Sequence, residues 1–191
     1  KTPLEEAGLF AADRLDHSHI FIRPQLAKGA VVVSDRNIHS SLIYQGVVGE
    51  LGLEKVARMN AAAMVPDLVF WIDCDPEKAM KRIKSGTLRM TSQKQEYFET
   101  QEIQTTIRQG FHDLFGDGVT VPPPFNQCHV VGPIMNEGGL DELKSELRTQ
   151  LRRFFNKKPE PLNVDRDDVD RTLLNNLVHE VKKQRRLPGA P

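Results

Sequence analysis

The sequence predicts an α/β fold, a parallel sheet flanked by helices in three layers. Three observations predict it. The runs Ala30–Ser34 (AVVVS) and Leu68–Ile72 (LVFWI) are apolar without alternation, as strands covered on both faces are. Stretches with helical spacing of apolar residues separate these runs. Proline, glycine and aspartate mark the joins, at Pro66-Asp67 and Asp75-Pro76.

Taken in order, Leu4 to Ala27 reads as a helix, with Leu9, Ala12, Ile20 and Ile22 apolar, Pro24 bending its final turn and Gly29 closing it. Ala30–Ser34 is the first strand. Asp35 to Gln45 is a turn leading into a helix that breaks near Gly46–Gly52 and continues to about Met64. Leu68–Ile72 is the second strand. Asp75 is an N-cap, followed by proline at the first helical position, and that helix runs to about Ile83. Lys84–Lys94 is a polar loop. Gln95–Phe115 is a helix with Phe98, Ile103, Ile107, Phe111 and Leu114 near one face. Gly116–Gln127 is a loop carrying Pro122-Pro123-Pro124, and Cys128–Val131 is a third strand. Leu140, Leu143, Leu147, Leu151 and Phe154 give an amphipathic helix packed on the domain body. Lys157–Pro161 reads as a linker. Asp167–Arg186 is a last helix, its acids first and bases last, with Val169, Leu173, Leu177 and Val181 in one stripe. The organisation expected is a core over 1–155 and a linker plus C-terminal amphipathic helix over 156–191.

Composition limits the function. The 191 residues can bury a core without disulfides or metals. Lysine plus arginine equal aspartate plus glutamate, 26 against 26, which argues against a nucleic-acid partner. The basic end Lys182-Lys183-Gln184-Arg185-Arg186 reads as a solvated helix end matched to its dipole. Cys74 and Cys128 form no CxxC pair and are expected reduced and buried. No apolar run reaches the roughly 18 residues of a membrane span, and no signal peptide opens the sequence. A cytoplasmic location with no membrane contact is the expectation.

Two stretches point to chemistry: Phe10-Ala-Ala-Asp13-Arg14 with His17, and Ser34-Asp35-Arg36 followed by Ser40-Ser41 and Tyr44-Gln45. Asp35 and Arg36 sit at the carboxyl end of a predicted strand, the edge at which open α/β sheets bind ligands. An arginine there offers a planar fork for phosphate oxygens. An aspartate there can hold magnesium through its waters. Read alone, Asp35-Arg36 is equally a surface ion pair or a helix cap, Phe10 a core filler, and Arg14 a solvated charge. Asp13 and His17 share a helix face near Asp16 and His19, but two ligands make no metal site. Trp71 reads as sheet core.

Together, FAADRxxH, an apolar strand ending in SDR, and SSLxYQG closely resemble the thymidylate kinase family, a P-loop-kinase-like α/β fold. Ile22-Arg23-Pro24, Leu26, Gly29, Pro66-Asp67-Leu68, Pro76-Glu77-Lys78-Ala79, Phe98-Glu99 and Ile107-Arg108 fit in order, and the similarity runs from about residue 3 to about 155. The resemblance implies transfer of the ATP γ-phosphoryl group to dTMP, giving dTDP, with Mg²⁺. It implies that Phe10 stacks on the thymine ring, Arg14 donates to a base carbonyl and Ser41 contacts the base edge. Arg36 would hold the acceptor phosphate and steady charge during transfer. Asp35 would assist magnesium or position Arg36. Tyr44 would press on the deoxyribose, with Gln45 a nearby substrate contact. Arg89 or Lys84 would be the lid cation reaching the transferred group. The lid run KSGTLRMTSQK matches the family poorly, and Asn37 departs from the tyrosine or histidine common after DR. A homodimer is implied by the resemblance alone.

Such a kinase needs GxxxxGK[ST] to cradle the ATP phosphates, and the sequence contains no match. Gly138-Gly139 is followed by Leu-Asp, and glycines 46, 49 and 52 have no GKS or GKT after them. In the family this unit of about 30 residues precedes FAADR, which here begins at residue 10. The expectation is a sheet missing its first βα unit, inactive alone, with a long apolar groove exposed. The alternatives are a non-catalytic nucleotide-binding or dimerisation module, and a kinase for another deoxynucleoside monophosphate.

Overall fold

The computed structural model describes residues 2–85, 100–116 and 121–156. Helix α1 (Pro3–His17) opens on a capping box: the Thr2 side chain accepts from the Glu5 amide, and the Glu5 carboxylate accepts from the Thr2 amide. A π-helical turn, Ser18–Ile22, joins it to α2 (Arg23–Ala27). Pro24 has no N–H, and its ring crowds the carbonyl of Ile20, so a wider turn just before it relieves the clash. Gly29, at φ 80°, ends the helix in the left-handed region. The single helix expected over 4–27 is therefore present, widened at the proline.

The first predicted strand does not form. Ala30–Ser34 is irregular and belongs to no ladder, and Val31 and Val33 are 73% and 91% exposed. A β-branched run becomes a strand only where neighbouring backbone supplies partners. Among the described residues the sheet consists of β1 and β2, and no strand pairs with this run.

Asn37 caps α3 (Ile38–Ser41) by accepting from the Ile38 amide at 2.8 Å, and α3 continues into a π-helical segment, Leu42–Val48. A turn through Gly49 and Gly52 leads into α4 (Leu53–Met59). This helix ends five residues short of the expected Met64, because Asn60 leaves helical geometry and its amide bonds back to the Val56 carbonyl.

Strand β1 (Leu68–Asp73) and strand β2 (His129–Met135) run parallel, with Leu68 opposite His129 and Asp73 opposite Met135. Parallel neighbours need a crossover, and α5 (Pro76–Lys84) and α6 (Gln101–Phe115) lie in the intervening chain. Asp75 caps α5 through the amides of Glu77 and Lys78, as expected. β1 is half-covered instead of buried on both faces: Trp71 is buried, as expected, while Ile72 is 44% exposed. β2 extends beyond the expected Val131 and gains one residue against β1 between Val131 and Ile134. Helix α7 (Leu140–Asn156) lies on β2, with Phe154 stacked on His129 at 5.8 Å. It packs less closely than expected, since none of its residues is fully buried. Cys74 and Cys128 are free and half-buried, not buried. Among the described residues, no helix is long and apolar enough to cross a membrane.

The core joins α1, the 38–48 helix, α4 and α6 through Leu15, Ile38, Leu42, Val56, Ile107 and Leu114. Helix α6 starts at Gln101 and not at the expected Gln95, because Thr100 is extended and caps it by accepting from the Ile103 amide; most of the polar loop 84–94 and the linker and helix of 157–191 lie outside the described residues.

Gly132 lies against the β1 backbone. A Cβ there would stand 2.6 Å from the Trp71 carbonyl oxygen and 2.8 Å from the Trp71 Cβ. Gly132→Ala is expected to cost about 1–3 kcal/mol, read as a lowered midpoint in urea unfolding with an unchanged slope.

Candidate active site

The helix from Ile38 to Val48 carries most of the candidate site, and α1 lies against it. Arg14 projects from α1 into the gap. One terminal nitrogen donates to Ser41 Oγ at 2.7 Å, and the other donates to Asn60 Oδ1. Burial pulls the Arg14 guanidinium below its ordinary value, against the opposing field of Asp13. Ser41 and Asn60 are 5% and 1% exposed, so the fork is held from two sides by ordered neutral partners.

Arg36 stands where the irregular run turns into α3. Its φ of 65° is in the left-handed region, which costs a non-glycine residue about 1–2 kcal/mol. The Ser34 hydroxyl donates to the Arg36 carbonyl at 2.7 Å, and the Asn37 cap fixes the following residue. That cap is the work Asn37 does in place of the expected aromatic residue. The Arg36 guanidinium lies over the Tyr44 ring, 5.1 Å from its centroid.

Gln45 is buried and its amide donates to Glu6 Oε1 at 3.3 Å, so it ties α1 to the 38–48 helix. Phe10, one helical turn before Arg14, is 47% exposed and not a core filler. Asp35 is exposed on the bend. The structure therefore links Arg14 to Ser41, and Arg36 to Tyr44 one turn further along the same helix. Phe10 and Asp35 are both exposed, on α1 and on the bend before α3. Arg89 lies outside the described residues, as does the side chain of Lys84.

A single exposed carboxylate suits a magnesium ion that keeps its waters and binds mainly to phosphate oxygens, as Mg²⁺ usually does. A cage of protein ligands is not available: among the described residues, no group of three histidine, cysteine or acidic side chains is placed to hold a metal ion. His17 instead stacks on Phe21 at 5.4 Å.

Two features escaped the sequence reading. Asn60 follows α4 and gives no local sign of pairing with Arg14, 46 positions away. At the carboxyl end of β1, Arg108 grips buried Asp73 through Nε at 2.9 Å and Nη2 at 2.8 Å, with His112 Nε2 at 3.2 Å. Burial alone would raise the Asp73 carboxyl, but hydrogen bonds and charge from Arg108 and His112 outweigh it and hold it below the usual carboxylate value. An acidic residue closing an apolar strand was the available signal.

A parallel two-strand sheet flanked by helices is the α/β architecture of a P-loop-kinase-like fold. The family model described as thymidylate kinase matches residues 1–121. The chain belongs to the thymidylate kinase family. It is 39% identical over 119 residues to the thymidylate kinase of Mycoplasma pneumoniae, covering 59% of this chain and 54% of that protein. It is 41% identical over 109 residues to the probable thymidylate kinase of Thermococcus onnurineus, covering 57% and 50%. The thymidylate kinase of Shouchella clausii is 36% identical over 112 residues, with coverage of 57% and 52%. The chain thus spans about half the length of the curated relatives it matches.

The Asp73 clasp makes a pH prediction. A carboxyl whose folded pKa lies below its unfolded value contributes stability above about pH 3.9, and loses it as pH falls toward the folded value. Asp73→Asn is expected to cost about 1.5–3 kcal/mol at neutral pH and to flatten the acid limb below about pH 4. Urea midpoints measured from pH 7 down to pH 3 check both; an acid limb as steep as wild type would contradict the assignment.

Proposed function

We propose that this chain is the acceptor-binding part of a nucleoside-monophosphate kinase that transfers the γ-phosphoryl group of ATP to dTMP, yielding dTDP. The observation that carries the reading is the alignment of two guanidinium groups along one helix: Arg14 on Ser41, and Arg36 on Tyr44. Membership of the thymidylate kinase family and the names of the relatives support it.

In this reading the half-exposed Phe10 ring stacks on the base, a contact that any nucleobase face accepts. Arg14 and Ser41 meet the base edge and give pyrimidine preference. Tyr44 bears on the deoxyribose, with Gln45 holding the helices that frame it. Arg36 binds the acceptor phosphate and offsets charge as an acceptor oxygen bonds to the γ-phosphorus and the bridging bond to ADP breaks. The cost of its left-handed backbone is consistent with a side chain held ready for such a task. Asp35 holds Mg²⁺, which when bound neutralises phosphate charge. Arg89 is the proposed lid cation. Exposed Leu9, Ile20 and Phe21 support association into a homodimer, and two free cysteines support a reducing, cytoplasmic setting.

A coupled assay on the whole gene product with dTMP, dUMP, dCMP and dGMP tests the reading, and dTMP is expected to be preferred. Arg36→Ala is expected to lower kcat on the order of 10³-fold. Phe10→Ala is expected to raise KM for dTMP about tenfold with little change in kcat. Wild-type turnover by the Arg36 variant would remove it from the mechanism. Calorimetric binding of dTMP with no turnover would leave a non-catalytic module.

A further inference from the structure

We infer that Asn60 is a positioning residue for the nucleotide site, setting the plane of the Arg14 guanidinium so that its remaining N–H groups face the acceptor base. The inference rests on the reading of Arg14 as the base donor. Three observations carry it. Asn60 is 1% exposed, among the most buried polar residues described, although it sits at the exit of a helix. Its two amide atoms are both used: Nδ2 donates to the Val56 carbonyl at 2.8 Å, and Oδ1 accepts from Arg14 Nη1. The first bond fixes the amide against α4, so the second holds Arg14 from a rigid point.

The geometry of the fork gives this a consequence. A guanidinium is planar, with five N–H donors in fixed directions. Two anchors on different terminal nitrogens, Ser41 Oγ on one and Asn60 Oδ1 on the other, define that plane. The donors left over then have fixed directions in that plane, without a further loss of side-chain freedom on binding. The partner is an amide and not a carboxylate, so Asn60 orients the fork without cancelling its positive charge. That charge is what makes its hydrogen bond to a neutral carbonyl strong.

The test is a double-mutant cycle read by dTMP calorimetry on the whole gene product, with thermal melts alongside. Asn60→Ala is expected to weaken dTMP binding about tenfold, as loss of a hydrogen bond to a charged group would. In an Arg14→Ala background the same change is expected to have no further effect on dTMP affinity. Should Asn60→Ala fail to fold, Asn60→Ser replaces it: its hydroxyl can still donate to the Val56 carbonyl but is too short to reach Arg14. An equal loss of affinity with and without Arg14 would make Asn60 merely structural and overturn the inference. An unchanged affinity in Arg14→Ala, with Arg36→Ala weakened, would overturn it while sparing the kinase reading. Absence of dTMP binding by the wild type would overturn both.

Discussion

A cation withdrawn from water must be paired, and Arg14 is where this chain meets that requirement. Its guanidinium leaves α1, crosses to the 38–48 helix and reaches the end of α4. Each of those elements belongs to the same apolar core, built on Leu15, Ile38, Leu42 and Val56. Hydrophobic burial brings the helices together without direction. The two bonds to Ser41 and Asn60 then fix their mutual register, because an unpaired buried guanidinium would cost more than the bonds return. The contact between Gln45 and Glu6 repeats the arrangement on a smaller scale at the other end of the interface.

The neighbouring stretch solves a different problem. Arg36 must point along the 38–48 helix from a chain that arrives irregular and mostly exposed. A left-handed residue makes that turn in one step, and the Ser34 hydroxyl and the Asn37 cap hold it there. On the far side, Asp73 ends β1 in a clasp of Arg108 and His112, with Trp71 packed edge-on against His112 at 4.8 Å. The clasp ties α6 to the carboxyl end of the sheet. Helix α6 also packs on the 38–48 helix through Ile107 and Leu114, so the two polar assemblies are joined through one apolar core.

Much of this was legible in the sequence. The capping residue Asp75, the terminating Gly29 and the amphipathic stripe of α6 act within a turn or two of themselves, so local reading finds them. The motif residues Arg14, Arg36, Ser41 and Tyr44 were visible as a pattern. Other features escaped because their causes lie elsewhere in the chain. Ala30–Ser34 has the composition of a buried strand, yet Val33 is 91% exposed, since strand formation depends on a neighbour that composition cannot supply. Ile72 and Met135, each nearly half exposed, show the same limit at the sheet.

The sequence by itself determined where most of the described helices lie, the Asp75 cap and the identities of the groups that carry charge, because backbone propensity and side-chain chemistry are local properties. It also determined the family, through motifs whose spacing survives without coordinates. Tertiary structure alone decided which groups meet: Asn60 with Arg14, Arg108 with Asp73, Gln45 with Glu6. Those meetings follow from the packing of a shared core, which brings residues dozens of positions apart within bonding distance, and no local pattern encodes that distance.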